Sequence, residues 1–451
     1  MKSPFTQIIL QTLIIVGQSI FIFSQLGILN NNNDVNDKDT IEIGINLSNK
    51  IDNVKSMSGF LLSLSTNIPP DSLIREIKPK IWRVIFPHIC DRVIKLGARA
   101  QFVLPDLWGY PFNRKNWLPP YNNFQEWDQY VTKIAKELSV YDPDDILIDF
   151  WNEPNSEGFW KGSRSELFLT YCRTYKILRK ELGPQVRIGG PSISGFNYEF
   201  IKEFLEYCKL NDCEVNFISW HEWDEWDSIL KLSDRVKRIK TEFQYNPLYS
   251  KLNFKEIFVN EYSTQREQNS PAKLLRYLYY LEKSGVDGAC KACWDNKRGS
   301  SNCWNNSIDG LLDPIELKPR GIWWVYKYYS DGLDSRVFSY SSSKEISVFA
   351  NSFYQDEKIL RVMFSYVAND AFGDSNKKVK INIAGLPKDM LKNWKKNLIV
   401  KINSIHSEYD SNSIFRKYIN YKINNNNQSI ELILNTIRNN DCIIIELINK
   451  I

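Results

Sequence analysis

From Ser56 to Asp331 the chain alternates short apolar runs with stretches of helical spacing. Met57–Leu64, Ile81–Phe86, Ala100–Leu104, Ile146–Trp151, Val186–Gly190, Val215–Trp220, Glu256–Val259 and Val286–Trp294 read as strands. Segments such as Phe124–Leu138, Ser165–Leu182, Tyr198–Leu210, Trp226–Phe243 and Pro271–Ser284 read as helices between them. Parallel strands need long crossovers, and eight strand–helix units suit a sheet that closes on itself. Several of these strands turn polar only at their C-terminal ends, as strands buried on both faces do. An open doubly wound sheet competes, but no Gly-rich phosphate turn follows the first strand. The pattern predicts an α/β fold, a (β/α)8 TIM barrel spanning residues 56–331.

Beyond Asp331 the texture changes. Ile346–Asn351, Ile359–Tyr366, Lys377–Ile383, Leu398–Ile402, Ser429–Leu434 and Cys442–Leu447 are short, often alternating and separated by turn-rich clusters. That predicts an accessory antiparallel β-sandwich over residues 332–451, with Asn424–Asn427 as a hairpin loop. Within the segment 41–55, the run Ile41–Leu47 precedes the barrel and is expected to return and pair with the sandwich.

At the N-terminus, Lys2 is followed by an apolar run from Ile8 to Phe23, then Ser24, Gln25 and Gly27. A positive start, an apolar stretch and small residues describe a secretory signal peptide over residues 1–28, followed by a polar linker over 29–40. The alternative is an uncleaved membrane anchor through residues 8–29. The expectation is a secreted or extracytoplasmic protein, touching membrane only if that segment is retained. Export admits disulfides, and of the 8 Cys, Cys208 with Cys213 and Cys293 with Cys303 bracket short loops as candidate bridges. Cys290 and Cys293 have the spacing of half a zinc site, but no second pair follows and the chain has only 3 His. No metal or other cofactor is expected. A net charge of +5, spread over 58 basic and 53 acidic residues, gives no reason to expect a nucleic-acid partner.

The chemistry sits at two strand ends. Ile146-Leu-Ile-Asp-Phe-Trp-Asn-Glu-Pro154 brings Asn152 and Glu153 to the end of the fourth strand, and Glu256-Ile-Phe-Val-Asn-Glu-Tyr262 brings Glu261 to the end of the seventh. Catalytic groups of such barrels come from strand C-termini. Two carboxylates facing each other across a barrel mouth suit glycosidic bond cleavage. One protonates the leaving oxygen; the other attacks the anomeric carbon directly when the carboxyls are ~5–5.5 Å apart, and configuration is then retained. An Asn-Glu-Pro tripeptide alone is a weak signal; its coincidence with Glu261 on the seventh strand is what carries weight. At the same rim, His221 is a candidate site donor, and Trp294 and Trp108 are candidates to stack on a sugar ring. His88 and His406 read as structural, and the cluster Glu222, Asp224, Glu225 and Asp227 as the start of a helix.

Trp151-Asn-Glu-Pro-Asn-Ser-Glu-Gly-Phe-Trp160, with Tyr171 and Tyr175 beyond, resembles the acid/base segment of glycoside hydrolase family 39. That family includes β-xylosidases and α-L-iduronidases. Gly189-Gly-Pro-Ser-Ile-Ser-Gly195, Phe204-Leu-Glu-Tyr-Cys208 and Phe217-Ile-Ser-Trp-His221 resemble its fifth- and sixth-strand regions, and the similarity runs from about Lys80 to Tyr328. The resemblance implies a retaining, β-xylosidase-like O-glycoside hydrolase acting on oligo- or polysaccharides. It makes Glu153 the acid/base, Glu261 the nucleophile, Asn152 a donor to the sugar's 2-hydroxyl and Arg83 the support of the nucleophile. Two positions depart from the family. His-x-Tyr becomes His221-Glu-Trp223, which loses a hydroxyl and leaves Trp223 to stack, and Asn260 replaces the usual Thr before the nucleophile. The missing hydroxyl is the one feature favouring the alternative, a catalytically silent carbohydrate-binding protein. For an acidic sugar, Arg83, Lys291, Lys297 and Arg298 are the candidate cations. The loops Asp106–Pro120 and Asp295–Asp313 are expected to decide between exo and endo action.

Overall fold

The chain enters through β1 (Thr40–Lys50) and then winds eight parallel strands. These are β2 (Gly59–Leu61), β3 (Ile81–Val84), β4 (Arg99–Val103), β5 (Ile146–Asp149), β6 (Arg187–Ile193), β7 (Phe217–Glu222), β8 (Glu256–Tyr262) and β9 (Gly288–Lys291). They are bonded in chain order. First and last strands meet at Gly59, where a Cβ would lie 2.2 Å from the Ala289 carbonyl oxygen, so a side chain there would block closure. This computed structural model describes residues 40–104, 119–223, 226–295, 299–353, 359–368, 376–388, 398–405, 421–424 and 428–449.

The two-residue period of the strands sorts their side chains. Outward, Trp82, Ile148, Ile218 and Ile257 join the large core shared with the helices. Inward, Ile81, Leu147, Phe217 and Phe258, with Leu61 and Cys290, make a small separate core. Two residues further along the same strands stand Arg83, Asp149, Ser219 and Asn260, all buried. The barrel is therefore apolar in the middle and polar at its C-terminal end. At the opposite end Glu256 binds Arg99 and Arg187, each at 3.0 Å.

The helices Phe124–Leu138, Arg164–Leu182, Tyr198–Leu210 and Pro271–Ser284 lie where the apolar spacing places them. Their starts are built from local polar groups: the Asn123 and Asn197 side chains accept backbone N–H groups, and Ser163 with Glu166 forms a capping box. The expected helix Trp226–Phe243 is instead broken into Trp226–Leu230, Leu232–Ile239 and a wide turn at Lys240–Gln244. Ser228 and Arg235, one on each side of the break, both bind the buried Glu222 carboxylate, at 2.8 and 2.7 Å. Glu222 is thus an internal acceptor rather than a helix-start charge. The first strand stops at Leu61 because Leu62 and Ser63 take positive φ (33° and 31°).

One cysteine expectation is corrected. Cys213 bonds to Cys172, not to Cys208, which is a buried free thiol. Cys208 occupies the last turn of its helix with its side chain in the core beside Phe204 and Leu205, while Cys213, past the turn, reaches the helix Arg164–Leu182. Cys293 and Cys303 are joined.

The remaining strands are β10 (Arg336–Ser341), β11 (Ile346–Ser352), β12 (Ile359–Tyr366), β13 (Lys377–Ala384), β14 (Leu398–Ile405), β15 (Tyr421–Asn424), β16 (Ser429–Ile437) and β17 (Asp441–Asn449). With β1 they form one nine-stranded sheet in the order β14-β17-β12-β11-β10-β1-β13-β16-β15. β1 runs antiparallel to β10, so the run before the barrel does return to this domain. The sheet curls, so that residues from β12 and β17 and from β13 and β16 share one core. Its other face packs on the barrel: Ile443 and Ile445 belong to the sandwich core, Cys442 and Ile444 to the barrel's. That double burial explains why β17 lacks alternation. The seam is pinned by buried Arg336, 3.0 Å from Glu282. β15 and β16 pair antiparallel, but positions 425–427 of the expected hairpin loop lie outside the described residues. So do residues 1–39; among the described residues no helix is long and apolar enough to cross a membrane.

Candidate active site

Arg83 is the hub. Only 3 % exposed on β3, it donates from Nε and Nη2 to Asp149 Oδ2 (3.2 and 2.9 Å), from Nη1 to Glu261 Oε1 (2.9 Å) and from Nη2 to Asn152 Oδ1 (3.1 Å). Asp149 also accepts from Ser192 Oγ (2.6 Å) and Asn260 Nδ2 (3.0 Å). Burial works against charge on Arg83, but Asp149 and Glu261 outweigh it and hold the guanidinium charged. Burial pushes the Asp149 carboxyl above its ordinary range, with Arg83 and the Ser192 bond opposing it. Glu261 is likewise raised, first by burial and also by the neighbouring Glu153, against the pull of His221 and Arg83.

His221, fully buried at the end of β7, touches both carboxylates. Its Nδ1 lies 3.0 Å from Glu153 Oε1 and its Nε2 lies 3.8 Å from Glu261 Oε1. A single imidazole thus bounds the gap between the two glutamates. Glu153 itself sits in the left-handed region (φ 47°), its N–H donating to the Ser192 carbonyl at 2.9 Å. Non-glycine backbone in that region is costly and clusters where a side chain must be aimed. Gly190 is needed beside it: at φ 114° a Cβ would meet Asp149 Oδ1 at 2.6 Å.

Both glutamates line a cavity of ≈ 460 Å³, together with Arg83, Asn152, Trp223 and Trp294. Arg83 holds Asn152 by its oxygen, leaving the amide N–H groups as its remaining donors. The Trp223 ring packs edge-on to His221 (4.6 Å) and to Trp294 (5.4 Å), whose indole N–H donates to the Ser263 carbonyl (2.9 Å). Trp108, Lys297, Arg298 and His406 lie outside the described residues. Arg83 is committed within the protein. Lys291 is buried, its Nζ donating to the Asp309 and Ala292 carbonyls at 2.8 and 3.2 Å, and does not line this cavity. Neither described cation candidate is therefore set to receive a substrate carboxylate. Among the described residues no cluster of His, Cys, Asp or Glu is arranged to hold a metal ion.

The sequence reading missed Asp149, Ser192 and Ser219. Asp149 offered a signal, an acid ending an otherwise apolar strand; the serines offered none, since their bonds to each other and to Asp149 join different strands.

An eight-stranded parallel barrel carrying a glutamate at the ends of its fourth and seventh strands, with a curled antiparallel sheet behind it, is the class of protein these features define. Within it, residues 111–272, which contain both glutamates, match glycosyl hydrolases family 39. The resemblance read from the sequence therefore stands: this segment of the barrel is similar to that family. A β-xylosidase of Geobacillus stearothermophilus is 31% identical over 115 residues, 24% of this chain and 23% of that relative, so the match spans about a quarter of the relative's length. The fold is shared by solved structures, of which three serve as examples. One, from Neocallimastix frontalis, has a TM-score of 0.68 at 20% identity, over 91% of this chain and 100% of the other. The GH39 enzyme from Xanthomonas axonopodis pv. citri gives 0.63 at 14%, over 91% and 97%. A monomeric β-xylosidase from Caulobacter crescentus gives 0.60 at 14%, over 91% and 100%.

Proposed function

We propose that this chain is a glycosidase that hydrolyses O-glycosidic bonds with retention of configuration, xylosides being the first substrates to test. The observation that carries this is the single imidazole of His221 set between Glu153 and Glu261, with Arg83 bound to Glu261. In a neutral imidazole one nitrogen donates and the other accepts. If Nε2–H faces the Glu261 carboxylate, Nδ1 is left to accept, and Glu153 satisfies it by offering a carboxylic O–H. The same proton is the one a leaving glycosidic oxygen needs. Glu261, held by Arg83, attacks the anomeric carbon as Glu153 protonates the leaving oxygen. Glu153, then a carboxylate, takes a proton from water, and that water releases the sugar from Glu261. Asn152, by resemblance, donates to the 2-hydroxyl.

The family similarity and the xylosidase relative support this choice. The binding-only alternative rested on the hydroxyl missing at Trp223; Glu261 keeps the hydrogen bond from Arg83 without it. The test is a panel of 4-nitrophenyl glycosides with product anomers followed by proton NMR. Retained product, loss of turnover in Glu261→Gln, and azide rescue of Glu261→Ala with inverted product are expected. Full activity of Glu153→Gln or Glu261→Gln would overturn it.

Export belongs to the same proposal. The apolar segment after Lys2 and the two disulfides support an oxidising destination. N-terminal sequencing of the mature protein checks it, and a start at residue 1 in a soluble cytosolic product contradicts it.

A further inference from the structure

Beside the catalytic cavity lies a second one of ≈ 320 Å³, within the ~300–1,000 Å³ of small-molecule sites. The two share Leu62, Ile85, Cys303 and Trp304 as a common wall. Two large aromatics line it while standing unusually open: Phe86 is 41% exposed and Trp304 44%. Their rings lie 6.5 Å apart, and His88, which the sequence suggested was structural, is instead exposed and stacked on Phe86 at 5.7 Å. Exposed aromatic faces grouped beside polar side chains (Ser65, Thr66 and Asn306 are in the lining) are what the C–H faces and hydroxyls of a sugar require.

A second, independent feature points the same way. Ser63, only 2% exposed, lines this cavity, and its buried Oγ has no hydrogen-bond partner among the described residues. Buried hydroxyls are normally paired, and an unpaired one costs stability unless something outside the protein satisfies it. Its position is set by the chain rather than by that hydroxyl: φ is 31° and the backbone N–H donates to the Cys303 carbonyl at 2.7 Å. Cys303 is in turn tied to Cys293 on the wall of the catalytic cavity.

We infer that this second cavity binds a further sugar unit of the substrate, stacked on Phe86 and Trp304 and hydrogen-bonded by Ser63. The chain then acts on oligosaccharides in preference to monosaccharide glycosides. The inference rests on the proposed glycosidase function and extends it from the reacting sugar to its neighbour.

The experiment compares β-D-xylopyranosyl fluoride, whose leaving group is too small to reach a second cavity, with xylotriose in the wild type, Phe86→Ala and Ser63→Ala. Neither residue lines the catalytic cavity, Phe86 is too exposed for its loss to open the core, and Ser63→Ala removes an unpaired group. Both variants should keep wild-type melting temperatures and kcat/KM on the xylosyl fluoride within about twofold. On xylotriose, KM should rise about tenfold in Phe86→Ala and about threefold or more in Ser63→Ala, with kcat little changed. Calorimetry in the Glu261→Gln background should find xylotriose binding at least tenfold tighter than xylose, and Phe86→Ala should remove most of that advantage. Equal effects on both substrates, or no effect on xylotriose, would overturn the inference while leaving the glycosidase function standing. Absence of turnover on any xyloside together with absence of binding by either sugar would bring down the xyloside assignment, and this inference with it.

Discussion

The buried strand positions of the barrel mouth and of the sandwich obey the same two-residue period and hold opposite contents. In β12 and β17 the inward positions are Val362, Phe364, Ile443 and Ile445. At the mouth they are Arg83, Asp149, Ser219 and Asn260. Burying apolar side chains stabilises in proportion to area, whereas buried charges barely break even against their desolvation. The sandwich therefore carries stability. The mouth keeps Glu261 within reach of Arg83 and His221, a costly arrangement that the apolar core beneath it supports.

Substitutions should separate the two regions. Largest is Glu153→Gln, expected to cut kcat/KM by ~10²–10⁴-fold, the range of a lost general acid, with the melting temperature little changed; steady-state kinetics beside calorimetry checks it. Arg83→Met strands Asp149 and Glu261 without their cation, so chemical denaturation should find a loss of about 3–5 kcal/mol together with a fall in kcat/KM. Ile445→Ala should cost about 2–5 kcal/mol by opening the sandwich core, yet leave kcat/KM per folded molecule unchanged. A comparable loss of catalysis there would erase the division between the regions. The smallest effect is in pH. Because burial raises Glu261 in the fold, the proposed nucleophile is ionised only above a higher pH than usual. The acid limb of kcat/KM should then fall off at a pH above the 4.5 of an ordinary glutamate.

Strand order and the two glutamates were legible because each depends on local pattern: an apolar run marks a strand, and its last residues mark the mouth. What stayed hidden depends on pairs distant in sequence. Nothing near Asp149 announces that Arg83 would meet it, and Phe86 and Trp304 come together only once the barrel has closed. Cys213 illustrates the same limit. Its near neighbour Cys208 looked the better partner, but the helix turns that thiol inward, and Cys172 on the preceding helix is the one within reach. In β17 the absence of alternation reports two buried faces, which only the docking of the sheet on the barrel explains.

The central claim is that Glu261 forms a covalent bond to the sugar. Incubation with 2-deoxy-2-fluoro-β-D-xylosyl fluoride, followed by peptide mass spectrometry, tests it most directly. One fluoroxylosyl group on the peptide containing Glu261, appearing as activity is lost, is the predicted result; a label on another carboxylate, or xyloside turnover that proceeds unlabelled and with inverted product, would contradict it.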